Sequence, residues 1–406
     1  MAKQSPVLAV DIGTTTIELS CFIPPDHDVS EDGFQPPENE LFHEHFSNPQ
    51  RRYGADLLSR ANNAIRFDLS ETMREMVRCA IFRAVTSHRI NWQELSLIIL
   101  SGNTLMLHLF WGWNVSGMTT APFTADKLTL HRELWDSVPV ISMPCIGAFV
   151  GGDILSGLYA LDIHDRTKNT LFVDLGTNGE IILSHSGRLL ASSVAAGPAF
   201  EGGNISIGTF ARPGAIDSVT IRRRFCRIHT IDGLLPPRGI CGSGLIEAVY
   251  ELFQDHIIDA HGSFIADNDR ADGFPLFAPG RSEPLSLSQN DIRSLQMGKA
   301  AVRAGMETLL SASGIPETAV DTLYLAGSFG EHLDIKKASG IGLIPKTLLP
   351  RTKLAGNTSL LGAIRLGCHP TETDTLSAIA KEATLLSLAD CDAFKSAYIR
   401  QMNLAP

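Results

Sequence analysis

The sequence TLFVDLGTNGEIILSH, residues 170–185, is the stretch that decides the fold. Two apolar runs flank a turn of Gly, Thr and Asn, which predicts a β-hairpin with Asp174 at the end of its first strand. The glycines at 176 and 179 let backbone N–H groups approach an anion, and Thr177 adds a hydroxyl donor. Asp174 could hold a water of a hydrated Mg²⁺. The stretch therefore predicts a turn that binds phosphate.

The same pattern occurs near the N-terminus, in VLAVDIGTTTIELSCF at residues 7–22. A predicted strand ends at Asp11, a turn follows at residues 13–16, and an alternating strand begins at Ile17. A single D-x-G-T motif is also typical of an ordinary hairpin without a ligand. Two copies in the same strand–motif–strand order favour a duplicated fold in which two like halves hold a polyphosphate between them.

Length and charge limit the classes of protein that fit. At ~150 residues per domain, 406 residues correspond to two or three domains. A net charge of −10 argues against a nucleic-acid or anionic-membrane surface, because phosphate groups would be repelled. The most apolar window, residues 95–113, is broken by Ser101-Gly102-Asn103, which argues against a membrane span. Seven scattered cysteines without a secretory signal predict reduced thiols and a cytoplasmic protein.

Between the motifs, the chain alternates predicted strands and helices. Residues 24–48 are rich in Pro, Asp, Glu and His, and we expect a surface excursion there. Residues 70–85 carry an apolar stripe at helical spacing. A buried strand is predicted at 95–100, and Gly102-Asn103-Thr104 opens the helix that follows it.

Asp153 is a candidate catalytic residue. It lies just inside the start of a glycine-rich helix predicted in residues 144–161, and a second small-residue helix at 356–367 mirrors this one. One interpretation is that the carboxylate stabilises the positive end of the helix dipole. The other is that it orients the water or hydroxyl that attacks the γ-phosphate. The sequence leaves both open.

Two further glycine motifs are candidate nucleotide contacts. Gly242-Ser243-Gly244 precedes an amphipathic helix, and the free N–H groups of such a helix start can bind an anion or a ribose. In TLYLAGSFG, residues 322–330, Gly327 ends a strand and leaves room for a flat ring. Both motifs also occur as plain structural turns.

Taken in order, these motifs resemble the actin-like ATPase superfamily of sugar and acetate kinases, heat-shock chaperones and actin. Within it the chain resembles the reductive activators of corrinoid proteins, through GNTLMLHLFWG, GAFVGGDILSG, FVDLGTNGEI, AAGPAFEGGNIS, GICGSGLIEAV, and AGSFGEHLD followed by GLIP. The resemblance implies an α/β, two-lobed actin-like ATPase fold of duplicated ribonuclease H-like units, with the nucleotide cleft between the lobes. Residues 1–158 and 358–406 would form the first lobe and residues 159–357 the second.

The resemblance also implies site residues. Those expected to contact the phosphates of ATP and Mg²⁺ are Asp11, Gly13, Thr14, Thr15, Asp174, Gly176, Thr177 and Asn178. Those expected at the adenosine are Gly327, Ser328 and Phe329, and those on the ribose side are Gly242, Ser243 and Gly244. The expected catalytic residues are Asp153, Asp11 and Asp174, of which Asp11 and Asp174 would bind Mg²⁺ through water.

One departure from the family concerns electron delivery. These activators usually carry an N-terminal ferredoxin-like domain with four cysteines on a two-iron cluster, whereas this chain begins at the first phosphate strand. We therefore expect no iron–sulfur cluster in this chain and a separate electron donor.

The implied function is ATP hydrolysis that drives reduction of Co(II) to Co(I) in a corrinoid protein. A small-molecule kinase of the same fold, and a nucleotide-binding regulatory protein with little turnover, are the alternatives. The expected partners are the corrinoid protein and the electron donor, with neither nucleic acid nor membrane, and a homodimer is left open.

Overall fold

A computed structural model of the chain describes residues 5–25, 36–54, 56–163, 167–278, 283–327, 333–388 and 391–404. The strands are β1 (Val7–Ile12), β2 (Thr16–Phe22), β3 (Glu40–Ser47), β4 (Leu97–Gly102), β5 (His131–Trp135), β6 (Val138–Ser142), β7 (Thr170–Leu175), β8 (Gly179–His185), β9 (Arg188–Val194), β10 (Ala215–Arg222), β11 (Phe225–Thr230), β12 (Gly239–Ile240), β13 (Phe274–Phe277), β14 (Leu285–Leu287), β15 (Thr322–Ala326), β16 (Thr352–Gly356) and β17 (Ala383–Leu385). The α-helices are α1 (Leu57–Arg66), α2 (Ser70–Ser87), α3 (Thr104–Trp111), α4 (Gly152–Ala160), α5 (Gly242–Gln254), α6 (Asp267–Asp272), α7 (Gln289–Ala312), α8 (Ile335–Gly340), α9 (Thr358–Cys368), α10 (Thr373–Glu382) and α11 (Asp392–Arg400).

The chain forms two compact units. The first contains Met1–Arg166, Gly187–Leu189 and Asn357–Leu385, and the second contains Thr167–Ser186, Leu190–Gly356 and Leu386–Pro406. Each unit has its own hydrophobic core.

The first unit is built on a mixed sheet with the strand order β3–β2–β1–β4–β6–β5. Strands β1 and β2 form the predicted antiparallel hairpin, while β1 pairs in parallel with β4, and β4 with β6. Antiparallel neighbours can be joined by a tight turn, whereas the parallel ones need the helical crossovers that the chain supplies. Helices α2 and α3 contribute Met73, Val77 and Phe110 to the core against this sheet.

The second unit repeats this arrangement. Its sheet contains the order β9–β8–β7–β15–β16, in which β7 and β8 are antiparallel while β7–β15 and β15–β16 are parallel. This is the order and direction of β3–β2–β1–β4–β6 in the first unit. The duplicated fold predicted from the two D-x-G-T motifs is therefore confirmed. The second unit adds a three-stranded sheet, β11–β10–β12, against which α5 packs.

Strands β1 and β7, the first strands of the two hairpins, have the same burial pattern, and in both only the aspartate is partly accessible. In β1 every residue is buried except Asp11, and in β7 every residue is buried except Asp174. Fully apolar strands are typical of a sheet covered on both faces. A partly accessible aspartate at the end of such a strand is held on a rigid support while it still reaches solvent or ligand.

One predicted loop contains a strand. Residues 24–48 were expected to form a surface excursion, but Glu40–Ser47 is β3 and pairs with β2. Its sequence ELFHEHFS is polar because it is an edge strand, in which Phe42 is buried and most of the other side chains remain at least partly exposed. Residues 26–35 lie outside the described part of the chain.

Residues 386–406 group with the second unit and residues 357–385 with the first, whereas the sequence assigned all of residues 358–406 to the first lobe. In α7, Glu307 accepts hydrogen bonds from Arg400 Nη2 and Gln401 Nε2, both at 2.5 Å. Leu404 is fully buried in the core of the second unit. These contacts are far apart in sequence, so helical periodicity could not assign the segment to either unit.

Helices α4 and α9 of the first unit cross so closely that their backbones are in contact. A Cβ on Gly362 would overlap the backbone oxygen of Ser156, and Ser156 Oγ donates to the backbone oxygen of Ser359 at 2.7 Å. The small residues predicted in both helices are therefore explained by close packing.

We expect Gly362→Ala to lower the free energy of unfolding by about 1–3 kcal/mol, because the added methyl must push the two helices apart. Urea denaturation measures this change. Lys381→Ala, at an exposed position of α10 in the same unit, should change it by less than about 0.5 kcal/mol. Equal stability of Gly362→Ala and the wild type would contradict the close crossing.

Candidate functional site

The turn of the first D-x-G-T hairpin is fixed by hydrogen bonds to its backbone. Gly13 N donates to Thr16 O at 3.0 Å, and a Cβ on Gly13 would lie only 2.8 Å from that oxygen. Asn48 Nδ2 donates to Gly13 O at 2.8 Å, and Asn48 N donates to Thr15 O at 2.9 Å. The glycine is therefore required at this turn, and Asn48, which directly follows β3, supports the turn.

Thr14 is held from two sides. Arg60 Nη2 donates to Thr14 O at 2.8 Å, and Asn103 Nδ2 donates to Thr14 Oγ1 at 3.0 Å. Asn103 is also the N-cap of α3, because its Oδ1 accepts from Met106 N at 3.0 Å. One asparagine thus joins a helix start to the hairpin turn.

Both oxygens of Asp11 accept hydrogen bonds from the start of α9. Ser359 Oγ donates to Oδ1 at 2.7 Å, and Asn357 Nδ2 donates to Oδ2 at 3.0 Å. Although Asp11 keeps partial access to solvent, burial of its carboxylate raises its pKa to about 6, and the nearby charge of Glu18 also raises it. The bonds from Ser359 and Asn357 oppose this shift.

Asp153 lies in the first turn of α4, as predicted, and its Oδ1 accepts from Ile154 N at 2.8 Å. Burial raises its pKa to about 7, and the charge of Asp11 contributes to the increase. A Cβ on Gly151 would lie 2.6 Å from Asn103 Cα and 2.8 Å from Asp153 Oδ1. The structure therefore brings Asp11, Asp153 and the Asn103 that holds Thr14 together within the first unit.

Glu18 and His43 extend this cluster. Glu18 lies opposite Asp11 in the β1–β2 register, and its Oε1 is 2.7 Å from His43 Nε2. Burial tends to raise the pKa of Glu18, but its bonds to His43 and Asn357 outweigh burial and lower the pKa. Glu18 therefore remains an ionised neighbour of Asp11 at neutral pH.

The turn of the second hairpin is built in a similar way. Gly176 N donates to Asn178 O at 3.0 Å, and Thr177 Oγ1 donates to Glu201 Oε2 at 2.9 Å. Glu201 belongs to the glycine-rich segment after β9 and plays a supporting role comparable to that of Asn48 in the first unit.

Gly327 lies against the end of the second hairpin's first strand. Its φ is +104°, and a Cβ there would lie 2.7 Å from Leu175 O and 2.9 Å from Asp174 Oδ1. Only glycine fits this position without displacing the aspartate. Ser328 and Phe329, predicted beside it at the adenosine, lie outside the described residues.

Gly242, Ser243 and Gly244 form the first turn of α5 and are buried. A Cβ on Gly244 would overlap the backbone oxygen of Ile216 in β10, so close packing alone explains why this position is glycine. Ser243 Oγ is 3.2 Å from Cys241 Sγ. A ribose contact by these residues remains a prediction.

Several supporting residues were missed by the sequence reasoning: Glu18, Asn48, Arg60, Glu201, Asn357 and Ser359. One signal was available. The tripeptide Gly-Asn-Thr occurs at both 102–104 and 356–358, and each asparagine caps a helix while its Nδ2 holds the first hairpin.

Two properties outside the site bear on function. Within the described ranges, no helix is long and apolar enough to cross a membrane. All seven cysteines are unpaired, and Cys21, Cys145 and Cys241 are buried.

Comparisons with known proteins agree with this architecture. The family model described as the C-terminal domain of RACo, the ASKHA domain, matches residues 168–406, and the model for the RACo middle region matches residues 7–166. The two units, each with its D-x-G-T hairpin, define an actin-like fold of the ASKHA class, whose domains bind nucleotides. The chain belongs to the RACo family.

Individual relatives cover most of the chain. A corrinoid activation enzyme, RamQ, of Eubacterium limosum is 28% identical over 436 residues, covering 98% of this chain and 70% of the relative. The Co(II) methylated amine-specific corrinoid protein reductase of Methanosarcina barkeri is 24% identical over 373 residues, covering 82% and 67%. A solved reductive activator for a corrinoid, iron–sulfur protein is 30% identical, with a TM-score of 0.86, and is matched over 100% of this chain and 67% of its own.

Asp153→Asn should stabilise the protein at pH 8 by about 2–4 kcal/mol, with the gain disappearing near pH 4. The folded pKa of about 7 is above the ordinary value of 3.8, so protonated Asp153 favours folding at low pH. This contribution is lost as the pH rises through 7, whereas asparagine does not ionise and keeps an oxygen for Ile154 N.

Urea denaturation from pH 4 to 8, without nucleotide or Mg²⁺, measures the effect. Asp374→Asn is the control, because Asp374 is exposed in the first turn of α10. A pH-independent difference for Asp153→Asn would contradict the raised pKa.

We expect Gly327→Ala to destabilise the protein by more than Gly314→Ala. Both glycines have positive φ, so both variants carry backbone strain of about 1–2 kcal/mol. A Cβ at Gly314 meets nothing within 4 Å, whereas one at Gly327 meets Leu175 O and Asp174 Oδ1. Thermal unfolding compares the two, and equal losses would show that the contact with Asp174 is unimportant.

Proposed function

We propose that this protein binds ATP with Mg²⁺ and hydrolyses it to drive the reduction of Co(II) to Co(I) in a corrinoid protein. The observation that carries the proposal is the repeated D-x-G-T hairpin at the end of a buried strand, once in each unit. The similarity to a corrinoid activation enzyme and a corrinoid protein reductase supports the choice of partner.

In this proposal the phosphates of ATP contact the two hairpin turns through Gly13, Thr14, Thr15, Gly176, Thr177 and Asn178. The adenosine contacts Gly327, Ser328 and Phe329, and the ribose contacts Gly242, Ser243 and Gly244. Backbone N–H groups and hydroxyls at such turns donate to phosphate oxygens. The supports from Asn48, Asn103 and Glu201 hold the turns in shape before the nucleotide arrives.

In this proposal Asp11 and Asp174 bind a magnesium ion through water. Mg²⁺ prefers oxygen ligands, keeps several waters, and is usually bound by one or two carboxylates together with substrate phosphates. The described residues contain no group of three or more His, Cys, Asp or Glu side chains that could bind a metal by themselves. A magnesium ion bound here would neutralise charge on the phosphates.

Asp153 is the proposed general base. With a pKa of about 7, it takes up and releases a proton near neutral pH, which is the range in which a general base is most effective. Burial is the main cause of this raised pKa, and the charge of Asp11 adds to it. The same burial that costs stability therefore makes Asp153 basic enough to orient and deprotonate an attacking water.

ATP hydrolysis would serve this chemistry as a source of free energy. A one-electron shift of ~59 mV corresponds to ~1.4 kcal/mol, so a reduction that is uphill by several such steps needs a coupled process. A corrinoid partner that is bound with different affinity in the ATP and ADP states provides the coupling.

The electron itself comes, we propose, from a donor outside residues 1–406. An iron–sulfur cluster is held by grouped cysteine thiolates. The cysteines of this chain are instead scattered singly along the sequence. Burial raises the pKa of the Cys21 and Cys145 thiols to about 12, and that of the Cys368 thiol to about 11, so these thiols are protonated while no metal is bound.

The test is ATP hydrolysis by the purified protein with Mg²⁺, with and without a corrinoid protein in the Co(II) state and a low-potential reductant. We expect ADP release and the cob(I)alamin spectrum to appear together only in the full mixture. Asp153→Asn should slow ADP release by about 10²–10⁴-fold without abolishing ATP binding.

Asp374→Asn, remote in sequence from the proposed site, is the control. ADP release that depends on an added sugar or acid instead of the corrinoid protein would favour the kinase alternative. ATP binding without any turnover would favour the regulatory one.

A further inference from the structure

The side chain of Asn357 joins three groups. Its Oδ1 accepts from Leu360 N at 2.9 Å and so caps α9. Its Nδ2 donates to Asp11 Oδ2 at 3.0 Å and to Glu18 Oε2 at 2.7 Å. An amide nitrogen carries two hydrogens, and here each is given to a different carboxylate. The helix start therefore fixes the direction in which this amide presents its donors.

The two carboxylates need such a donor between them. Asp11 and Glu18 are directly opposite in the β1–β2 register, so their side chains project from the same face of the sheet. Like charges in opposite positions repel each other. The Asn357 amide reduces this repulsion and at the same time fixes the position of Oδ2 of Asp11.

The second oxygen of Glu18 is fixed from β3. His43 Nε2 lies 2.7 Å from Glu18 Oε1, and His43 Nδ1 lies 3.4 Å from Glu40 Oε1. The side chain of Glu18 is 22% exposed and that of His43 is 43% exposed. A connected path thus runs from Asp11 through Asn357 and Glu18 to a histidine at the surface.

Helix capping alone does not explain these contacts. Serine and aspartate cap helices as well as asparagine does, because a cap needs only an acceptor oxygen. Only an asparagine cap adds an Nδ2 that can donate to the two carboxylates. Asn103 uses the same residue type in the same way, with its oxygen on α3 and its nitrogen on Thr14.

We propose that Glu18 and Asn357 are positioning residues that fix the carboxylate of Asp11 for magnesium-bound ATP, with His43 as the outer anchor of Glu18. This inference rests on the proposed function, because it takes Asp11 as a carboxylate that binds Mg²⁺ through water. Groups that orient metal ligands in this way typically change metal affinity by about 10–100-fold when they are removed.

Glu18→Gln tests the proposal, because glutamine keeps the size of the side chain and removes the charge that accepts from Asn357 and His43. Calorimetric titration with ATP in Mg²⁺ and in EDTA gives the gain in affinity that Mg²⁺ provides. We expect this gain to fall by about tenfold or more, with affinity in EDTA unchanged. Glu44→Gln is the matched control. Glu44 lies on β3 next to His43 and pairs with His88 at 2.9 Å, so this variant should behave like the wild type.

Asn357→Ser is a second variant that keeps a capping oxygen and loses the bridge, so it should reproduce the effect of Glu18→Gln with a similar Tm. In an Asp11→Asn background, adding Glu18→Gln should change the affinity in Mg²⁺ by less than about twofold, because the effect acts through Asp11.

The outcomes separate the inference from the proposed function. If the wild type gains affinity from Mg²⁺ and both Glu18→Gln and Asn357→Ser keep that gain, the positioning role is wrong and the proposed function stands. If Glu18→Gln lowers the affinity for ATP in Mg²⁺ as much in the Asp11→Asn background as in the wild type, Glu18 does not act through Asp11. A wild type that does not bind ATP in Mg²⁺ overturns both.

Discussion

A carboxylate enclosed by protein must be given hydrogen-bond donors, and the first unit is arranged around this requirement at Asp11. Burial would leave the ionised form poorly solvated, and Ser359 and Asn357 compensate by donating to its two oxygens. Both donors lie at the start of α9, so this helix must begin where strand β1 ends. The positions of β1 and α9 are thereby linked by one charged group. Despite these two bonds, burial and the nearby charge of Glu18 still raise the pKa of Asp11.

A single device is used twice around the first hairpin. Asn103 and Asn357 each follow a glycine, cap a helix with Oδ1, and donate from Nδ2 to the D-x-G-T segment, at Thr14 and at Asp11 respectively. Each asparagine therefore satisfies a free N–H group at a helix start and also holds one residue of the D-x-G-T segment. The second unit instead supports its turn with a carboxylate, Glu201. The duplicated strands thus keep their order, while the residues that support the turns differ.

Part of the fold and of the candidate site could be predicted from local sequence patterns. Glycine and asparagine turns between apolar runs correctly predicted both hairpins, and small residues correctly predicted the helices that cross at Gly362. The polar strand β3 was missed because an edge strand lacks an apolar run. The repeated Gly-Asn-Thr marks Asn357 as a second helix cap, but the contacts of Asn357 and Ser359 with Asp11 could not be predicted, since these residues lie 346 and 348 positions away in the chain. Contacts of that separation depend on how the sheet and helices assemble, which no local pattern records.

The crossing of α4 and α9 has a mechanical consequence. Where two helices touch through backbone atoms, there is no layer of side chains that could change rotamer and absorb a displacement. The hydrogen bond from Ser156 Oγ to Ser359 O adds a direct tie. Asp153 stands at the start of α4, and the donors to Asp11 stand at the start of α9. The two helices are therefore expected to move as one rigid body. A displacement of either helix would move Asp153 and the donors to Asp11 together.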